Sequence, residues 1–199
     1  DVHESVNAAG PVVVDDTIMI SAAYQTGAAR LQVAPDGKSV TELWRDRRNL
    51  LTHWSTAIYR DGHYYGFSGR HSEEALLRCL NAETGAVVWE TDGWGRPEDE
   101  LQQIGRDEFL DTESKQVIPY PRYARGSKIM IGDRFLVLSE YGLLALLKIN
   151  PERWEEVSRF KPARLHYPTW AAPVLSRGYL YLRSEDWLLC YDLRPKVTQ

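Results

Sequence analysis

Ala57-Ile-Tyr-Arg-Asp-Gly62-His-Tyr-Tyr-Gly66 reads as two short apolar runs joined by Asp61-Gly62. That dipeptide accepts the positive φ angles of a tight hairpin turn, so the stretch is predicted to be a β-hairpin. The pattern returns three times: as Pro11-Val-Val-Val-Asp-Asp16-Thr-Ile-Met-Ile20, as Lys128-Ile-Met-Ile-Gly-Asp133-Arg-Phe-Leu-Val137, and as Pro173-Val-Leu-Ser-Arg-Gly178-Tyr-Leu-Tyr-Leu182. The second turn residues, Asp16, Gly62, Asp133 and Gly178, lie 46, 71 and 45 residues apart. A period of about 45 residues built from strands and turns is the signature of propeller blades.

Downstream of the quoted hairpin, Leu76 to Leu80 reads as a third strand, Asn81 to Gly85 as a turn, and Ala86 to Glu90 as an outer strand. One repeat is therefore a four-stranded antiparallel meander. The expected fold is all-β, a β-propeller of about four such blades, over residues 7–46, 53–91, 123–160 and 169–194, forming part of a seven- or eight-bladed ring. The whole chain, 1–199, is read as a single partial-propeller domain. The last blade lacks its outer strand, because Arg194-Pro-Lys-Val-Thr-Gln199 carries no apolar run. Residues 92–122 lengthen the middle spacing and form an insertion. Arg96-Pro97-Glu-Asp-Glu100 resembles a helix start, and Leu101, Ile104, Phe109 and Leu110 give a partial apolar stripe, so a short helix is predicted there.

The composition narrows the function classes. The 199 residues are 43% hydrophobic and carry a formal charge of −4. That charge supplies no general attraction for phosphate backbones, so no nucleic-acid partner is expected. No apolar stretch approaches the roughly 20 residues needed to cross a bilayer. Cys79 and Cys190 fall at one position of non-adjacent repeats, too far apart for a disulfide, and are expected to be buried small hydrophobes. The acidic pairs Asp15-Asp16, Glu73-Glu74 and Glu155-Glu156 fit solvated turns and outer strands. No Gly-x-Ser-x-Gly, His-Glu-x-x-His or Gly-rich phosphate loop occurs, so no catalytic residue and no metal ligand are assigned.

Leu77-Arg-Cys-Leu-Asn-Ala-Glu-Thr-Gly-Ala-Val-Val-Trp-Glu90 resembles the repeat of the PQQ-like, or quinoprotein-dehydrogenase-like, β-propeller family, whose docking motif reads Ala-x-Asp-x-x-Thr-Gly-x-x-x-Trp. Thr84, Gly85 and Trp89 match, while Cys79 stands for Ala and Asn81 for Asp. The resemblance implies that Thr84-Gly85 makes the turn and that Trp89 packs between blades with its N–H on a carbonyl. It also implies an extracytoplasmic, periplasmic or secreted, bacterial protein. The family contains quinone- and calcium-dependent dehydrogenases as well as scaffolds without a cofactor. Only the second repeat carries the full motif, and the adjacent cysteines of many such dehydrogenases are missing. A binding or scaffolding module with no cofactor is therefore expected, and a PQQ- and calcium-dependent alcohol or sugar dehydrogenase, its site needing a complete ring, is the alternative.

Aligning the repeats on their turns places His53 and Trp54, Arg125 and Trp170 immediately before the inner strands, with His166 nearby. In a propeller these positions open onto the channel mouth. Aromatic walls with a few polar groups suit recognition of a small molecule, sugar, peptide or protein. His53, Trp54, Arg125, His166 and Trp170 are the candidate ligand-binding residues. The remaining expected partner is a missing propeller half or a second copy, which would cover the open blade faces.

Overall fold

The computed structural model describes residues 7–195; residues 1–6 and 196–199, at the ends of the predicted domain, lie outside it. Eighteen strands are described. They are β1 (Val12–Val14), β2 (Thr17–Ala22), β3 (Gly27–Val33), β4 (Val40–Asp46), β5 (Ile58–Arg60), β6 (His63–Ser68), β7 (Leu76–Asn81), β8 (Val87–Thr91), β9 (Leu101–Gln103), β10 (Glu108–Asp111), β11 (Val117–Pro119), β12 (Ser127–Ile131), β13 (Arg134–Leu138), β14 (Leu144–Lys148), β15 (Glu156–Phe160), β16 (Val174–Ser176), β17 (Tyr179–Arg183) and β18 (Leu188–Asp192). They form five antiparallel meanders: β1–β4, β5–β8 and β12–β15 with four strands, β9–β11 and β16–β18 with three. This is the all-β architecture of a partial propeller.

The chain divides into two compact units. The first holds residues 7–95, 122–125 and 149–155, hence sheets β1–β4 and β5–β8; the second holds the other described residues. The core of the first gathers Met19, Ala28, Leu50, Ala57, Tyr64 and Leu80, with Trp44 and Val87 packed against it. Tyr64, Tyr65, Gly66 and Phe67 of β6 are all buried, since both faces of this strand are covered. The core of the second unit gathers Leu136, Leu138, Leu165, Leu180 and Leu182.

The docking turn is built from a few hydrogen bonds. Asn81 Oδ1 accepts the N–H groups of Glu83 and Thr84 at 2.9 and 3.0 Å, and the Gly85 N–H reaches the Asn81 carbonyl at 2.9 Å. Gly85 has φ +70°, and a Cβ there would lie 2.8 Å from the Trp44 ring. Glycine thus admits both the left-handed turn and the ring. Trp44 Nε1 donates to the Ala82 carbonyl at 2.9 Å, and Trp89 Nε1 to the Asn150 carbonyl at 3.0 Å. Trp89 therefore reaches a turn that lies beyond β9–β11 in sequence, which makes those strands an excursion between one Trp and its docking turn.

Two expectations are corrected. Residues 92–122 contain a three-stranded sheet, with helical geometry limited to a single 3-10 turn, Glu98–Glu100. The apolar stripe came from two strands: Leu101 sits on β9, Phe109 and Leu110 on β10, and Gly105 falls between them. Asp111 then repeats the Asn81 turn. Its Oδ1 accepts the N–H groups of Glu113 and Ser114, and its carbonyl accepts that of Lys115, which takes φ 57° where the other turn has glycine. Arg96 grips the same carboxylate with two nitrogens at 2.9 and 3.0 Å, and this pairing holds Asp111 well below the usual carboxylate range. Cys79 is buried as expected, but Cys190 is exposed. It lies on β18, the edge of a three-stranded sheet whose outward face no described strand covers.

Candidate functional site

In the first unit, the β2–β3, β4–β5 and β6–β7 connections gather at one end of the two sheets. The β4–β5 connection is bolted down by small polar side chains. Ser21 Oγ donates to the Leu50 carbonyl and Thr52 Oγ1 to the Ser21 carbonyl, at 2.9 and 3.0 Å, while Ser68 Oγ accepts the Leu51 N–H at 2.9 Å. The next two residues, His53 and Trp54, are consequently held in fixed, half-buried positions.

Five side chains then close a circuit. Tyr24 Oη lies 3.0 Å from His53 Nε2. The His53 ring meets Trp54 edge-on, with centroids 5.1 Å apart. The Arg125 guanidinium stands over Trp54 at 4.8 Å, and Arg125 Nη1 donates to the Arg70 carbonyl at 3.1 Å. The Arg70 guanidinium in turn covers the Tyr24 ring at 4.6 Å. Each cation lies within the range of a favourable cation–π contact. Arg125 belongs to the first unit because residues 122–125 pack with it; the Tyr123 N–H bonds the Asp92 carbonyl, and Arg122 pairs with Asp92 at 2.9 Å.

Tyr24 and Gln25 occupy the two central positions of the β2–β3 turn at φ 58° and 65°. Paired positive φ angles usually call for Asn-Gly, and holding two longer side chains there stores backbone strain. The turn thereby aims the Tyr24 hydroxyl at His53. Beside the circuit lies an open cavity of about 650 Å³, with Tyr24, Gln25, Arg47, Arg48, Arg70 and His71 among its walls.

His166 and Trp170 belong to the second unit. His166 Nδ1 lies 3.0 Å from Asp107 Oδ2, beside an acidic cavity of about 330 Å³ bordered by Glu108, Glu185 and Asp186. Trp170 is half exposed, and its Nε1 donates to Glu140 Oε2 at 3.2 Å, a carboxylate with no solvent exposure. Of the five predicted residues, His53, Trp54 and Arg125 are thus brought together, and the other two have separate partners within their own unit. Sequence reasoning missed Tyr24 and Arg70. The Tyr24 turn carries no Gly, Asn or Pro to announce it; Arg70-His71 and Arg47-Arg48, by contrast, were readable as basic pairs in loops. Among the described residues, no group of three or more His, Cys, Asp or Glu side chains converges to hold a metal ion. The described residues do not form the carboxylate cage calcium needs.

No protein-family model and no curated protein sequence matches this chain. Solved structures do. BamB from Moraxella catarrhalis superposes with a TM-score of 0.53 at 14% identity, over 92% of this chain and 43% of its own. A europium-containing methanol dehydrogenase gives 0.45 at 16% identity, over 75% of this chain and 24% of its own. The Pseudomonas aeruginosa periplasmic gluconolactonase PpgL gives 0.45 at 14% identity, over 97% and 70%. The likeness to BamB shows the fold, a β-propeller of which this chain has a part. The chain spans less than half the length of that structure.

Proposed function

We propose that this chain is a non-catalytic binding or scaffolding module of a PQQ-like β-propeller, engaging a small molecule or a protein segment at the loop end that carries the Tyr24–His53–Trp54–Arg125–Arg70 circuit. The observation that supports it is the circuit itself: two half-buried aromatic faces, Tyr24 and Trp54, each covered by a guanidinium group, the exposed Arg70 and the half-buried Arg125 respectively. The resemblance to the family supports an extracytoplasmic location, and among the described residues no helix is long and apolar enough to cross a membrane.

The test is a titration of a mixed panel of organic acids, sugars and short peptides, read by the indole N–H resonance of Trp54. A ligand that shifts this resonance, and that Trp54→Ala weakens at least about tenfold, is the expected result, since a buried aromatic anchor commonly contributes that much. Binding indifferent to Trp54→Ala, or no shift by any member of the panel, overturns the reading. So does oxidation of an alcohol or sugar when PQQ and calcium are added.

A further inference from the structure

We infer that the cavity beside the circuit is a receptor for a small, multiply charged oxyanion, a compound carrying two or more carboxylate or phosphate groups. The inference rests on the binding-end reading above and names the ligand class. Arg47, Arg48, Arg70 and His71 line this one opening together with a single carboxylate, Glu74, in a chain whose net charge is −4. Like charges gathered this way repel one another unless something neutralises them.

Glu74 offsets this only in part, because the carboxylates of these loops are turned to backbone. Asp46 Oδ1 accepts the backbone N–H groups of Arg48 and Asn49, both at 2.6 Å, and Glu74 Oε1 accepts those of Arg70 and His71 at 2.7 and 3.0 Å. Burial raises the Glu74 pKa, but these N–H groups and the nearby His71 and Arg70 charges outweigh it, so the carboxyl is held below its ordinary value. Among the described residues, Arg47, Arg48 and Arg70 take part in no ion pair with a carboxylate. The acids hold the loops in shape, and the three arginines line the opening.

The loops are also fixed in advance. Gly27, at φ +80°, lets the Asp46 carbonyl and Arg47 Cα pack where a Cβ would stand at 2.1 and 2.4 Å. The Arg48 carbonyl accepts Arg78 Nη1 at 2.7 Å, and the Gly69 N–H bonds the Leu51 carbonyl at 3.0 Å. Backbone anchored on both sides fixes where the three arginines leave the chain, and a planar five-donor guanidinium suits carboxylate and phosphate oxygens alike. The volume falls in the range of small-ligand sites.

The experiment is calorimetric titration of the chain with citrate and, separately, pyrophosphate, at low and high salt. At least one binds, more weakly at high salt. Arg70→Gln and the double variant Arg47→Gln/Arg48→Gln each weaken it at least about tenfold, as loss of a charge-assisted hydrogen bond predicts. Arg70→Lys, which keeps the charge and loses the fork, costs less, and Lys38→Gln in the β3–β4 turn changes nothing. Which probe binds more tightly separates carboxylate from phosphate recognition. No heat with either probe, affinity unchanged in the arginine variants, or binding confined to a polyglutamate peptide overturns the inference. A neutral ligand that shifts the Trp54 indole while both anions fail leaves the binding end standing and removes only its assignment to anions.

Discussion

Gly85 carries two requirements in one residue, a left-handed φ and room for the Trp44 ring. The repeat motif revealed the first; the second depends on a Trp 41 positions earlier that only the folded sheets bring near. Gly85→Ala is expected to cost about 2 kcal/mol or more, because strain and overpacking both apply, and the midpoint of urea unfolding measures it. Lys128 is a second single-residue case. It is buried on β12, and burial pushes its amine down to about 7. In the unfolded chain it would titrate near 10.4, so between about pH 7 and pH 10 the unfolded state binds more protons and stability rises with pH. Below pH 7 the penalty for a charged, desolvated amine is present in full. Lys128→Met is therefore expected to stabilise the protein at neutral pH and to flatten the rise of stability between pH 7 and 10, as followed by thermal unfolding across that window.

Among the elements, the four repeated hairpins and their antiparallel order were legible, because alternation and Asp-Gly-type turns are local signals. The strands β9–β11 were not. They are three or four residues long, too short for periodicity to separate from a helical stripe, and Pro97 followed by acidic residues imitates a helix start. The one readable sign was Asp111-Thr-Glu-Ser-Lys115, which forms the same turn as Asn81 to Gly85 without its glycine. Asp111 holds that turn and Arg96 together, so Asp111→Ala is expected to loosen β9–β11 alone. Amide exchange at Phe109 and Leu110 should accelerate while that at Phe135 and Val137 does not; uniform acceleration would mean the excursion is integral to the second unit. In all three four-stranded sheets the register shifts between the third and fourth strands, at Arg30/Leu31, Cys79/Leu80 and Leu146/Leu147. Such bulges add twist at the sheet edge and leave no mark in residue identity.

For the molecule as a whole, apolar side chains stand in solvent on every described sheet, Val88, Val117 and Phe160 among them. Val13, Ile20, Val40 and Leu43 do so on β1–β4, and Val174, Leu175 and Leu188 on β16–β18. Exposed apolar surface of this kind predicts concentration-dependent association of the isolated chain, lowered by Leu188→Lys, in light scattering; a mass of 22.8 kDa at every concentration would contradict it. The sequence by itself determined the repeat, its antiparallel strands, the docking motif and the columns holding His53, Trp54 and Arg125, because each is written in neighbouring residues or in a regular period. Tertiary structure alone decided that Tyr24 and Arg70 close a circuit with them, that Asp46 and Glu74 turn to backbone rather than to arginine, and that Trp89 passes over β9–β11 to Asn150. Asp46 and Glu74 bond backbone within four residues, and the fold decides only that no arginine competes for them. The circuit and the Trp89 contact join residues 29 to 71 positions apart, where the partner is chosen by packing and hydrogen-bond geometry and not by any local preference of the chain.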